Sequence, residues 1–215
     1  MKVAIILCGC GFKDGSEIHE SVLSLLALDA VGHSTHAFAL PSPFTTEPYT
    51  SKGVSETRNQ LEEAARISRG DIMELSLLDV KAYDALWIPG GYGVAQSLST
   101  FAKEGIYGKV NPVLEKIILS FSASKKPIVA VCIAPYIVGM ALRGNKVRMT
   151  VGKDPGHLRV LEELGHIPVA KPADGYEYDP QHNIYTSPGY MEPPHLAGIY
   201  RSLLSISEAL GRIVN

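Results

Sequence analysis

A chain of 215 residues, 46% hydrophobic and 20% charged, is long enough to bury a full α/β core, and residues 1–215 read as one domain. Its 20 basic and 22 acidic residues leave a net charge of −2 without long blocks of either sign, which removes the electrostatic footprint that nucleic acid needs. Three cysteines are too few for a disulfide framework and no apolar run reaches membrane-spanning length, so the expectation is a protein with no membrane partner in a reducing compartment, cytoplasmic by default and mitochondrial if a transit peptide was trimmed.

Apolar strand runs alternate with amphipathic helical patterns, the signature of a mostly parallel sheet covered by helices. Val3 to Cys8 reads as the first strand and Glu17 to Ala30 as the first helix, with Ser16 as its N-cap and Gly32 just past its end. Thr35 to Leu40 reads as the second strand. Pro41 to Pro48 breaks regular structure and opens an excursion that is a candidate lid or site wall, followed by a helix over Ser55 to Ser68 and a short strand over Asp71 to Leu75. Ala85 to Ile88 is a buried strand ending in Pro89-Gly-Gly-Tyr-Gly93, and Val110 to Ala123 is the helix leading into the apolar run Ile128 to Val131. A helix over Tyr136 to Leu142 precedes Val147 to Val151 and Leu158 to Leu164, then a strand pair near Glu177 to Tyr178 and Ile184 to Ser187, and a closing helix from Pro194 to Leu210.

Pro127-Ile-Val-Ala-Val-Cys132-Ile-Ala-Pro135 carries one cysteine from a buried strand directly into a helix start, with proline suited to the first turn. Free amides and the positive end of the helix dipole at such a turn favour a thiolate over a thiol. Cys8 and Cys10 read as strand-end or loop residues without a chemical role. In open parallel sheets ligands bind outside the carboxyl ends of the strands, so the loop from Gly9 to Gly15, the loop from Pro89 to Gly93 and the turn at Cys132 should converge. Gly90 and Gly91 allow close backbone approach, and N–H groups of Gly91 and Ile133 would make an oxyanion hole, although a plain βα turn has the same composition.

Glu17 and Glu20, three apart, share a helix face toward the strand ends. A carboxyl beside the thiol would have a raised pKa and serve as general acid and base, whereas the simpler reading is that both acids complement the helix dipole. His19, between them, is read as a surface histidine pointing away. Arg58, Asn59 and Tyr190 are candidate substrate contacts, with solvated surface or pocket wall as the alternative, and Asp14 is a loop acid.

Taken together, Cys8-Gly-Cys-Gly-Phe-Lys-Asp-Gly-Ser-Glu-Ile-His-Glu20, Glu56-Thr-Arg-Asn59, Ala64-Ala-Arg-Ile-Ser-Arg-Gly70, Ile88-Pro-Gly-Gly-Tyr-Gly93 and Cys132-Ile-Ala-Pro135 resemble the enhancing-lycopene-biosynthesis (ElbB) glyoxalase-like family, from residue 1 to about residue 190. That family lies within the superfamily of PfpI-type proteases and class I glutamine amidotransferase-like domains. The resemblance implies a flavodoxin-like α/β fold, a mostly parallel sheet with helices on both faces. It also implies Cys132 as nucleophile, Glu20 as its paired acid by position relative to Gly32 with Glu17 as the nearby alternative, Gly91 as an oxyanion contributor, and a homodimer. The histidine that PfpI-type proteases place after the nucleophile is Ile133 here, and the downstream His-x-Glu of amidotransferases is absent, so proteolysis and glutamine hydrolysis are disfavoured. What remains is cofactor-independent glyoxalase chemistry on small reactive carbonyls such as methylglyoxal or glyoxal, with no metal or nicotinamide required. The competing expectation is a redox sensor whose Cys132 is oxidised and read by a partner.

Overall fold

The computed structural model describes residues 1–193 and 195–212. In chain order the elements are β1 (Lys2–Ile6), α1 (Ile18–Ala30), β2 (Ser34–Ala39), β3 (Pro43–Thr45), β4 (Thr57–Asn59), α2 (Gln60–Ser68), β5 (Ile72–Glu74), β6 (Ala85–Ile88), α3 (Tyr92–Gln96) and α4 (Phe101–Glu104). They continue with α5 (Pro112–Ala123), β7 (Ile128–Val131), α6 (Ala134–Ala141), β8 (Arg148–Met149), α7 (Pro155–Glu163), β9 (Ile167–Pro168), β10 (Glu177–Asp179), β11 (Ile184–Ser187) and α8 (Leu196–Arg212).

Seven strands form one sheet in the order β10-β11-β7-β6-β1-β2-β5, parallel throughout except for the edge pair β10 and β11. β6 and β7 are buried at every residue, which is why their sequences are continuous apolar runs rather than alternating ones. Helices flank the sheet, with α1 packed on α8 and α2, and α5 packed on α6. Trp87 of β6, fully buried, donates its indole N–H to Ser24 Oγ of α1 at 2.8 Å and so ties that helix to the middle of the sheet. The chain leaves β1 toward β2 on one side and returns to β6 on the other, so the strand order reverses between β1 and β6. The crevice such a reversal opens at the carboxyl ends of the strands is the ordinary ligand position in this architecture. No helix of the described residues is long and apolar enough to cross a membrane.

Three local expectations are corrected. The helix expected from Ser55 begins at Gln60, because Thr57–Asn59 pairs antiparallel with Pro43–Thr45 and turns the expected irregular excursion into a small hairpin. Asn59 ends that hairpin and caps α2, its Oδ1 accepting from the N–H groups of Leu61 at 3.0 Å and Glu62 at 3.3 Å. The N-cap of α1 is Glu17, not Ser16: the Glu17 carboxylate accepts from Glu20 N–H at 2.7 Å, while Ser16 Oγ accepts from Cys8 N–H at 2.9 Å. α6 starts at Ala134, two residues before the expected Tyr136, because Pro135 occupies its first turn. The closing helix is present as Leu196–Arg212, and Pro194 lies outside the described residues.

Candidate active site

The centre of the site is a backbone irregularity. Cys132 sits at φ +62°, in the left-handed region that a residue with a Cβ seldom adopts, between the last residue of β7 and the first turn of α6. Its N–H is held by Ser187 O of the neighbouring strand at 2.9 Å. The sharp turn swings the thiol off the end of the sheet, toward the first turn of α1 and the loop after β6.

Glu20 meets it there. The carboxyl is fully buried, and both of its oxygens are gripped by main chain: Tyr190 N–H donates to Oε1 at 2.8 Å and Gly90 N–H to Oε2 at 2.9 Å. Gly90 is required by space. A methyl group on its α-carbon would stand 2.5 Å from Glu20 Oε2 and 2.9 Å from Cys132 Sγ, so the acid and the thiol press on the same small volume. Gly91 is required by both conformation and space: it has φ +101°, and a side chain would run into the backbone of Gly15 and Glu17.

Burial dominates the electrostatics. The Glu20 carboxyl is pushed up to about 8 by desolvation, against the pull of the Tyr190 amide, with the nearby Glu17 charge adding to the rise. The Cys132 thiol is raised well above its ordinary value, first by burial and then by the Glu20 charge; the N–H groups of Gly91 and Ile133 face the sulfur and favour its ionised form, with less effect. This corrects the expectation of a thiolate stabilised by the turn alone. Two buried groups in contact cannot both ionise cheaply, so they form a pair that holds at most one negative charge and shares its remaining proton. Cys8, fully buried, is pushed up to about 12 by desolvation and is a packing residue, as its sequence position indicated.

The thiol opens into a pocket of about 790 Å³. Its apolar lining includes Phe12, Tyr92, Ile133 and Met191, and its polar lining includes Lys13, Glu17, His19, Glu47 and Tyr190. Glu47 comes from the excursion after β2, which Asp14 pins by accepting from Glu47 N–H at 2.6 Å and Tyr49 O–H at 3.3 Å. The expected site wall is therefore in place, and Asp14 is its fastener.

The residues named from sequence divide into two groups. Cys132, Glu20, Glu17, Gly90, Gly91, Ile133 and Tyr190 meet at this crevice, with Glu20 beside the sulfur and Glu17 acting as helix cap and pocket wall. Arg58 and Asn59 do not line it. Arg58 is held by Glu56 at 2.7 Å and Glu63 at 3.3 Å beside a separate recess next to Cys10, and Asn59 spends its side chain on the cap of α2. His19, expected to face away, lines the pocket with its Nδ1 2.6 Å from Tyr190 Oη and 3.9 Å from Glu17 Oε1. Phe12, Lys13, Tyr92, Gln96 and Met191 were not singled out in the sequence. Phe12 and Lys13 lie within the loop expected at the site, and Tyr92 within the glycine turn, so their positions were legible although their role was not.

The parallel sheet reversing at β1, with a cysteine elbow after β7 and an acid delivered from α1, defines the class I glutamine amidotransferase-like fold shared by DJ-1 and PfpI proteins. No protein-family model matches the chain. It is 36% identical over 202 residues to the mitochondrial ES1 protein homolog of Rattus norvegicus and 36% identical over 204 residues to the mitochondrial glutamine amidotransferase-like class 1 domain-containing protein 3 of Homo sapiens, in each case with 88% of this chain and 75% of the relative covered. The crystal structure of an isoprenoid biosynthesis protein with an amidotransferase-like domain from Ehrlichia chaffeensis superposes with a TM-score of 0.92 at 32% identity over 100% of both chains. DJ-1beta of Drosophila melanogaster, at 18% identity, shares the fold with a TM-score of 0.60 over 97% of this chain and 89% of its own. The chain belongs to the ES1 family of class I glutamine amidotransferase-like proteins.

Proposed function

We propose that the protein is a cofactor-independent, glyoxalase-like enzyme acting on 2-oxoaldehydes through Cys132. The carrying observation is a buried carboxyl beside a buried thiol that opens into a pocket, the carboxyl held by the Gly90 and Tyr190 amides and interacting with the sulfur. Ionised Glu20 takes the thiol proton as sulfur adds to the aldehyde carbon, giving a thiohemiacetal whose oxygen is received by the Gly91 and Ile133 amides. Glu20 passes the thiol proton to the thiohemiacetal oxygen; the regenerated carboxylate then carries the hydrogen of that carbon to the neighbouring carbonyl oxygen, giving an enediol, and the proton of the first hydroxyl to the adjacent carbon, leaving a thioester. Water then cleaves the thioester to a 2-hydroxy acid and regenerates the thiol, so the sum is aldehyde plus water with no external oxidant. An aldehyde needs no histidine to activate it, which agrees with Ile133 in place of the protease histidine.

The crowding of two amides around the sulfur also supports a second reading, in which an oxidised Cys132 is stabilised and read by a partner. The names of the curated relatives support a mitochondrial setting over the cytoplasmic one expected from sequence. The homodimer implied by the family resemblance is retained as part of this reading. The test is formation of D- and L-lactate from methylglyoxal by purified wild type and Cys132→Ala. Lactate from wild type alone is expected. No lactate from either, together with selective peroxide oxidation of Cys132, would favour the redox reading.

A further inference from the structure

Resting on the glyoxalase-like reading, we infer that the natural substrate is a 2-oxoaldehyde bearing an aromatic or comparably large apolar substituent rather than methylglyoxal or glyoxal. The pocket is far larger than the chemistry alone requires. Cavities of roughly 300–1,000 Å³ hold molecules of drug size, and at about 790 Å³ this one lies in that range. Methylglyoxal offers a single methyl group to fill it.

The distribution of surface points the same way. Beside the polar Glu17, His19 and Tyr190, the lining includes four large apolar side chains, Phe12, Tyr92, Ile133 and Met191, against which a substituent on the reacting carbon could pack. Phe12 and Tyr92 are 52% and 43% exposed, which leaves part of each ring accessible in the unliganded protein. Their placement is fixed rather than incidental. Tyr92 N–H donates to Phe12 O at 2.7 Å, joining the loop after β1 to the turn after β6, and the Phe12 ring packs edge-on against Tyr49 with centroids 5.6 Å apart. The two aromatic residues thus line the pocket that holds the thiol on main chain already joined in the unliganded protein.

The experiment compares kcat/KM for phenylglyoxal and methylglyoxal, reading mandelate and lactate and subtracting a Cys132→Ser blank, in wild type, Phe12→Ala and Tyr92→Ala. A preference for phenylglyoxal of at least about tenfold is expected in wild type, the scale on which added apolar contact discriminates substrates, and the ratio should fall toward one in each alanine variant. Turnover of both aldehydes without that preference would overturn the inference while leaving the Cys132 chemistry standing. Binding of the neutral amides mandelamide and lactamide to Cys132→Ser, measured by calorimetry, keeps the two ideas separable if neither aldehyde is consumed. Tighter mandelamide binding would then support the aromatic pocket with its chemistry reassigned, and equal affinities would overturn the inference together with the glyoxalase-like reading.

Discussion

At the scale of single residues, what distinguishes Cys132 from the other cysteines is geometry as much as exposure. Cys8 and Cys132 are both buried and both have raised pKa values, yet Cys8 answers only to Ser16, while Cys132 faces a carboxyl and two backbone amides. Gly90 is the residue that lets this pair exist. Gly90→Ala would place a methyl group between Glu20 Oε2 and Cys132 Sγ. It should abolish turnover and lower stability by about 1–3 kcal/mol, the usual cost of overpacking, as measured by denaturant unfolding. A stable, fully active alanine variant would show that the thiol and carboxyl do not need their contact. The thiol turn was legible because an apolar strand, a cysteine and a proline follow in order. The protonation of the pair was half legible: the raised carboxyl followed from placing an acid beside sulfur, but the raised thiol depends on a burial that no local sequence displays.

At the scale of elements, the central strands were readable because parallel strands covered on both faces must be continuous apolar runs, as in Ile128 to Val131. The hairpin of β3 and β4 was not, since Pro43 to Thr45 and Thr57 to Asn59 are short, polar and paired across a gap in sequence, with no alternating apolar pattern to mark them. That misreading displaced the start of α2 and made Arg58 and Asn59 look available to a ligand. Asn59→Ala therefore discriminates between cap and contact. The expected result is a loss of about 1 kcal/mol in unfolding free energy with kcat/KM unchanged, since Asn59 lies outside the pocket; a rise in KM with unchanged stability would reverse the assignment. His19 was misread for a related reason. Its position between Glu17 and Glu20 suggested the outward face, but the first turn of α1 lies at the crevice, and Tyr190 reaches it from the turn after β11.

At the scale of the whole molecule, the sheet order puts three separate chain segments around one carboxyl: α1 supplies Glu20, the turn after β6 supplies the Gly90 amide, and the turn after β11 supplies the Tyr190 amide. Burying that group has a global consequence. Its folded pKa, about 8 against an ordinary carboxyl value of 4.5, is raised, so between these values the folded state binds a proton that the unfolded state has already released. The contribution of Glu20 to stability is thus most favourable below the unfolded value and is lost as pH rises across this window. Unfolding free energy measured across that range should carry a falling component that Glu20→Gln removes; an identical pH slope in the variant would mean that Glu20 titrates as a solvated acid. The fold class was legible from the alternation of strands and helices, whereas this linkage was not, because it arises only when residues far apart in sequence close over one another. The pairing of Cys132 with Glu20 is the claim on which the functional reading depends, and the rate of Cys132 alkylation by iodoacetamide as a function of pH, followed by intact mass in wild type and Glu20→Gln, tests it most directly. The wild-type rate should rise through an apparent pKa near 8 as the pair loses its first proton, and Glu20→Gln should lack that step. Superimposable profiles would show that the thiol titrates independently of the acid and would contradict the account.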